Sequence, residues 1–214
     1  MKLILVRHGQ TVANLEGLTQ GWFESKLTAL GRKEARALAK KLKNKKLDVI
    51  YASDYSRAID TAKAILKFHK GLRLKTDKRI RERNLGIYEG IKMSDLGFDV
   101  LHPPLRPPKG ETFAQMSKRV MEFIREIAKK YEDETVLLAT HAGPIYVLLA
   151  KATGMDFLSL KRRLLCPNCC VHRFEVDGRG KVKKMRVNEV RHVGSALASL
   201  VRGGGRGGIG TLTA

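Results

Sequence analysis

Aromatic residues are scarce, 6% of 214 with a single tryptophan. Proteins that grip single-stranded nucleic acid stack bases on interleaved aromatic side chains, and neither that pattern nor a recognised nucleic-acid motif occurs here. Nucleic acid is therefore not the expected partner. No apolar run approaches the roughly 20 residues that cross a bilayer. The opening run, Leu3 to Val6, is also shorter than the about 7–15 apolar residues of a signal peptide, so a cytoplasmic protein without membrane association is expected. Cysteine is few and odd in number: three, all inside "CPNCC" at Cys166, Cys169 and Cys170. Such a count argues against a secreted disulfide framework. One C-x-x-C without a second pair does not close a four-ligand zinc site, and His172 could join it only in a cramped loop. A buried thiol cluster, with no metal, is the expectation. Nothing in the sequence sets an oligomeric state.

Acid is also short: 21 Asp and Glu stand against 42 Lys and Arg, for a net charge of +21. Such an excess suits anionic partners, phosphate esters among them, or belongs to a Lys-rich surface of the kind seen in thermophiles. The run "KKLKNKK" reads adequately as a solvated helix face.

What is present suffices for a core. Hydrophobic residues make up 43% of the chain, and the length suits one α/β domain, placed here at residues 1–200. "LILV" and "TVLLAT" read as buried strands, as does the stretch "DVIYAS". Between them, "LTALGRKEARALAKKLKNKK" and "SRAIDTAKAILKF" carry helical apolar stripes. "LRLKTDKRI" alternates like an edge strand. Four of the six prolines fall in "IKMSDLGFDVLHPPLRPPKGET", which marks a loop or lid over residues 91–110. From Thr112, a candidate N-cap, Met116, Val120, Phe123, Ile124 and Ile127 define a long amphipathic helix. "HAGPIYVLLAKATG" is a helix with Pro144 in its first turn, and "VHRFEVDGRGKVKKMRVNEV" a hairpin turning at Asp177-Gly178. The tail, 201–214, is too rich in glycine to hold a fold and is expected to be flexible. Strands alternating with helices predict a three-layer αβα sandwich around a mostly parallel central sheet.

Three of these strands end in chemistry. The first breaks off into Arg7, His8 and Gly9; the second leads to Ser53 and Arg57; the third ends on His141, Ala142 and Gly143. In open α/β sheets ligands bind beyond the carboxyl ends of strands, where helix N-termini also point. Two histidines and two arginines thus converge on one anion site, with Gly9 permitting close backbone approach.

Several ordered motifs resemble the histidine phosphatase superfamily, the phosphoglycerate mutase-like family. "VRHGQTVANLEGLTQGWFESKLTALG" resembles its opening, "YASDYSRAIDTA" its second block and "ERNLGIYEG" its acidic block. "PPKGETF" and "THAGPI" resemble its P-x-G-E-[ST] and second-histidine segments, and "VNEVRH" echoes its end. The resemblance implies a phosphoryl-transfer enzyme, a phosphomonoesterase like the histidine acid phosphatases, in which His8 is the nucleophile and becomes a phosphohistidine. Arg7 and Arg57 would clamp the phosphoryl oxygens and disfavour protonated His8. Asn14 would donate a further hydrogen bond, and His141 would stabilise transition-state charge. Glu82 matches the acid-base position; its neighbour Glu89 looks structural. Gln20, Gly21 and Ala142 complete the expected phosphate- and substrate-binding set. Gln10 stands where the family often has Glu, and Ala142 replaces a common Gly, which bears on close approach of that backbone.

The cofactor-dependent mutases of this family carry a long, arginine-bearing insertion after the acidic block. Here a short connection between Gly90 and Pro107 holds one arginine, Arg106. A shorter lid admits water to the phosphoenzyme and favours hydrolysis. The expected activity is metal-independent hydrolysis of a small phosphate ester: a sugar phosphate, a phosphoglycerate or an α-ribazole phosphate. No cofactor is expected; 2,3-bisphosphoglycerate would be needed only by the alternative, a phosphoglycerate mutase.

Overall fold

In a computed structural model, residues 1–99, 105–190, 192 and 211–213 are described. Strands are β1 (Lys2–Arg7), β2 (Val49–Ala52), β3 (Leu74–Thr76), β4 (Thr135–Thr140), β5 (Val171–Val176), β6 (Val182–Glu189) and β7 (Thr211–Thr213). Helices are α1 (Val12–Glu16), α2 (Ala29–Leu42), α3 (Ser56–Leu66), α4 (Phe113–Lys130), α5 (Ala142–Thr153) and α6 (Phe157–Arg163). The sheet runs β3-β2-β4-β1-β5-β6-β7. Its first four strands are mutually parallel, and the last three continue it antiparallel, as the hairpin reading of β5 and β6 requires.

Alternation along β1 divides the core. Leu3 and Leu5 pack on one face with α4 and α5, while Ile4 and Val6 pack on the other with α2 and α3. Parallel strands covered on both faces are apolar throughout, which is why β1 and β4 read as unbroken hydrophobic runs. Helix starts follow local chemistry. Thr112 and Gln115 close a reciprocal capping box on α4, and Thr28 accepts from the Gly31 amide at the start of α2.

Register then places the site. Arg7 of β1 lies opposite Thr140 of β4, so the next residues, His8 and His141, emerge side by side. Ala52 of β2 lies opposite Ala139, which brings Ser53 to the same edge.

Two expected segments are described only in part. In the tail, Thr211–Thr213 pair with Lys184–Arg186 of β6: the Thr-Leu-Thr beyond the glycines, with two β-branched threonines, completes the ladder that β6 offers. The remainder of the tail lies outside the described residues. Of the lid, 100–104 also lies outside them, but both flanks are anchored. Thr19 donates to the Ile91 carbonyl and accepts from the Gly90 amide through its own carbonyl (both 2.9 Å), while Ile87 donates to the Pro108 carbonyl at 3.1 Å.

Candidate active site

His8 and His141 meet edge to face, ring centroids 5.2 Å apart and planes at 64°. Both are buried, His8 at 3% exposure and His141 at none. His8 Nδ1 faces the Gly9 carbonyl oxygen at 2.8 Å. A carbonyl only accepts, so Nδ1 carries the proton and Nε2 keeps its lone pair. Burial, then the charges of Arg57 and Arg7, hold the His8 pKa well below the usual imidazole value. The result is a neutral, nucleophilic nitrogen.

His141 is also held neutral, by burial first and by Arg57 next. Its Nδ1 accepts from Arg57 Nε at 3.2 Å, which leaves Nε2–H to donate to Ser53 Oγ at 2.8 Å. His141 thus reaches the anion site through Arg57 in this arrangement: it fixes the guanidinium, where the sequence suggested a donor of its own. The other guanidinium nitrogens donate to the carbonyls of Phe23 and Gly21, at 2.9 and 2.8 Å. Tyr55 lies against the Arg57 fork, 4.7 Å from ring centroid to guanidinium carbon.

Arg7 donates through Nη1 to the Cys166 carbonyl at 2.5 Å, and its buried Nε has no partner among the described residues. An orphaned buried donor costs about 1–3 kcal/mol, a cost an anion at this position would relieve. Asn14 Oδ1 accepts from Thr11 and Asn168, which turns its Nδ2 the other way. Gln20 accepts from Thr11 Oγ1 at 3.0 Å, one step behind Asn14. Gly21 serves through its carbonyl, as the rest on which Arg57 lies, and at φ 49° a side chain there would strike Glu89. So Gln20 and Gly21 are brought to the site's rim in positioning roles.

The two carboxylates separate cleanly. Glu89 Oε1 accepts from the amides of Trp22 and Leu85, at 2.7 and 2.9 Å, and pins one loop to another. Glu82 faces a cavity of about 490 Å³ that Arg7, Ala142, Arg83, Phe113, Phe157 and Lys161 also line. Both Glu82 oxygens accept from the Gly143 amide at 3.1 Å, so the positive N-terminal end of α5 holds this carboxylate. A Cβ on Gly143 would lie 2.0 Å from Glu82 Oε1. Close approach therefore falls on Gly143, and Ala142 merely lines the cavity. Gly9 is likewise small for a different reason from the one expected: its Cβ would strike the Gly31 carbonyl at 2.5 Å.

The profile of the histidine phosphatase superfamily (branch 1) matches residues 3–189. The chain belongs to that superfamily. It is 33% identical over 168 residues to "Putative phosphoserine phosphatase 2" of Hydrogenobacter thermophilus, covering 74% of this chain and 82% of that one. It is also 33% identical over 168 residues to a "2,3-bisphosphoglycerate-dependent phosphoglycerate mutase" of Brucella ovis, with 72% and 82% covered. Among solved structures, Bacillus stearothermophilus YhfR matches with a TM-score of 0.80 at 32% identity, over 90% of this chain and 99% of that one.

The site is also supported by residues that sequence reasoning passed over. Glu34, buried in α2, accepts from the Gln10 amide at 2.8 Å and so holds the loop after His8. Arg119 of α4 donates to the carbonyls of Arg79, Arg81 and Glu82, each at 2.8 Å, and pairs with Glu111. That guanidinium carries the backbone of Glu82 into place. Among the described residues one cluster of metal-ligating type occurs, Cys166, Cys170 and His172.

Proposed function

We propose that the protein hydrolyses small phosphate monoesters through a phosphohistidine on His8, with no metal ion. The observation that carries this is a neutral imidazole whose Nδ1 is committed to a carbonyl, under the charges of Arg57 in α3 and Arg7 at the end of β1. His8 Nε2 attacks phosphorus, and the P–O bond to the leaving group breaks. Arg7 and Arg57 take up the charge on the equatorial oxygens, and the Asn14 amide adds a donor. Glu82, protonated, gives its proton to the departing alkoxide; ionised, it then takes one from the water that attacks the phosphohistidine. Phosphate leaves and His8 returns to its starting form.

The arginines supply the charge neutralisation that metals supply elsewhere, and the first relative's name supports hydrolysis. Arg83 and Lys161 on the cavity wall suit a leaving group that carries its own carboxylate, so phosphoserine and the phosphoglycerates head the substrate panel, ahead of sugar phosphates and α-ribazole phosphate. The mutase reading has the Brucella relative in its favour. The two part on incubation with 3-phosphoglycerate and catalytic 2,3-bisphosphoglycerate: phosphate release should outrun isomerisation, and the reverse result would exchange the readings.

The deciding measurement is mass-spectrometric mapping of the trapped phosphoenzyme under alkaline conditions, with exhaustive chelation throughout. The label should sit on His8 and vanish, with turnover, in His8→Ala. Phosphate on His141, or activity lost to chelator and restored by a divalent ion, would overturn the proposal.

A further inference from the structure

Behind the phosphate site, the segment 166–170 clasps the nucleophile's own backbone. The Arg7 amide donates to the Cys170 carbonyl at 3.3 Å, and Arg7 Nη1 to the Cys166 carbonyl at 2.5 Å. The Cys169 amide donates to the carbonyls of Arg7 and His8, at 3.2 and 3.3 Å, and Asn168 Nδ2 to that of His8 at 3.0 Å. Inside the clasp, Cys166 Sγ and Cys170 Sγ lie 3.1 Å apart, with His172 Nε2 3.3 Å from Cys170. Cys166 also lines the substrate cavity, whereas Cys170 is wholly buried behind it.

Two chemistries suit two sulfurs and an imidazole, and the geometry separates them. Tetrahedral zinc, with Zn–S near 2.3 Å, would need its sulfurs about 3.8 Å apart. More decisively, His172 Nδ1 accepts from the Asn188 amide at 3.4 Å. The proton therefore sits on Nε2, the nitrogen that would have to bind the metal. The Nε2–H, 3.3 Å from Cys170 Sγ and 4.0 Å from Cys166 Sγ, donates to sulfur instead. The thiols are unequal besides. Hydrogen bonding with Cys170 outweighs burial and holds the Cys166 pKa well below the usual thiol value, and burial pushes that of Cys170 well above it. One is an attacking thiol open to the cavity, the other a resolving thiol behind it.

We propose that Cys166 and Cys170 form a reversible oxidation site, in which hydrogen peroxide entering through the substrate cavity closes a disulfide that loosens Arg7's hold on phosphate. The Cys166 thiolate attacks one peroxide oxygen; the O–O bond breaks, and hydroxide leaves to become water by taking the thiol proton. The Cys170 sulfur, its proton given to that hydroxide, then attacks the sulfenic acid sulfur; the S–O bond breaks, and the departing hydroxide becomes a second water with the proton that Cys166 released on ionising. Both sulfurs are oxidised and the peroxide is reduced: two thiols and H₂O₂ give one disulfide and two waters. A small thiol reverses this, forming its own disulfide. Closing the bond draws the sulfurs together by about 1 Å, to near 2.05 Å, and shifts the carbonyls that support Arg7.

The bond itself does not depend on the proposed phosphatase activity, and its consequence is read on the anion site directly. Wild-type protein is treated with peroxide, alkylated and digested with trypsin without reduction. The peptide Leu164–Arg173 should lose two hydrogens, carry one alkyl group, on Cys169, and resist fragmentation between residues 166 and 170. Inorganic phosphate should slow the reaction by occupying the cavity, and Cys169→Ser should still form the bond. By calorimetry, oxidised protein should bind inorganic phosphate about tenfold more weakly, the scale of one charge-assisted hydrogen bond, with recovery on reduction. A bond involving Cys169, a sulfinic acid on Cys166 without a bond, or stoichiometric zinc binding lost in His172→Gln would overturn the site. A bond with unchanged phosphate affinity would overturn its link to Arg7.

Discussion

The two ends of the active site are built differently. Where phosphate would sit, His8, His141, Ser53 and Arg57 are all buried; both imidazoles are held through hydrogen bonds and Arg57 rests on two carbonyls. Where the leaving group would sit, the wall is assembled from separate segments and stands half open: Leu165 is 48% exposed, and the Lys161 side chain reaches across to Asp99 at 3.3 Å. The first end has one arrangement available to it, and its chemistry is fixed by sheet register. The second can change by substitution without disturbing the sheet.

The comparison is broken most severely at the group that joins the two ends. Glu82→Gln keeps shape but donates no proton, so kcat for an alkyl phosphate should fall about 10²–10⁴-fold. An activated aryl phosphate, whose leaving group needs little protonation, should lose far less in the phosphorylation step. Equal losses on both esters, in single-turnover measurements, would deny Glu82 its role. Glu89→Gln is the control: it should lower thermal stability, by weakening the acceptor that two amides share, with no dependence on leaving group.

Next comes Gly143→Ala. Its Cβ would lie 2.0 Å from Glu82 Oε1 and push the carboxylate aside. Displacement of about 1 Å can cost about 10²-fold, so kcat should drop on that scale while circular dichroism shows an intact fold. Ala142→Gly, by contrast, should change kcat little.

The buried end also sets a pH dependence. His8 and His141 both have pKa values depressed in the folded protein. Above the ordinary value of about 6.5 both states hold these groups neutral and nothing is lost. As pH falls below it, the unfolded chain takes up protons that the folded one resists. Stability should then fall by up to about 1.4 kcal/mol per pH unit for each histidine. Denaturant melts from pH 7 to 5 would show this slope, and it should be reduced in His141→Asn. The smallest effect belongs to the open end. Lys161→Ala should raise KM for a carboxylate-bearing ester less than about tenfold and leave kcat nearly unchanged, since exposed charges are well screened; a kcat effect would move Lys161 into the chemistry.

The candidate site was legible where it is written in short contiguous stretches. His8 and His141 directly follow apolar strands, so periodicity located them and strand register brought them together. Thr112 announced its helix for the same local reason. Contacts between distant segments left no such trace. Nothing around residue 119 signals that its guanidinium will hold three carbonyls forty residues away in the chain, and the need for glycine at 143 appears only once Glu82 lies against it. The thiol cluster was visible as "CPNCC", but the clasp on Arg7 was not, because it needs β5 beside β1. Thr211–Thr213 were hidden behind a glycine run whose composition outweighed three strand-forming residues.

Gly9 and Gly31 touch backbone to backbone: a Cβ on Gly31 would come within 2.0 Å of the Gln10 carbonyl oxygen, as one on Gly9 would meet Gly31. The consequence is mechanical. Every coding change at either position adds at least one carbon, and no change at the other can make room, since neither has an atom to give up. A side chain at either position would have to pry the nucleophile loop away from α2, so the seam between them sets how closely His8 can be held against the helix layer.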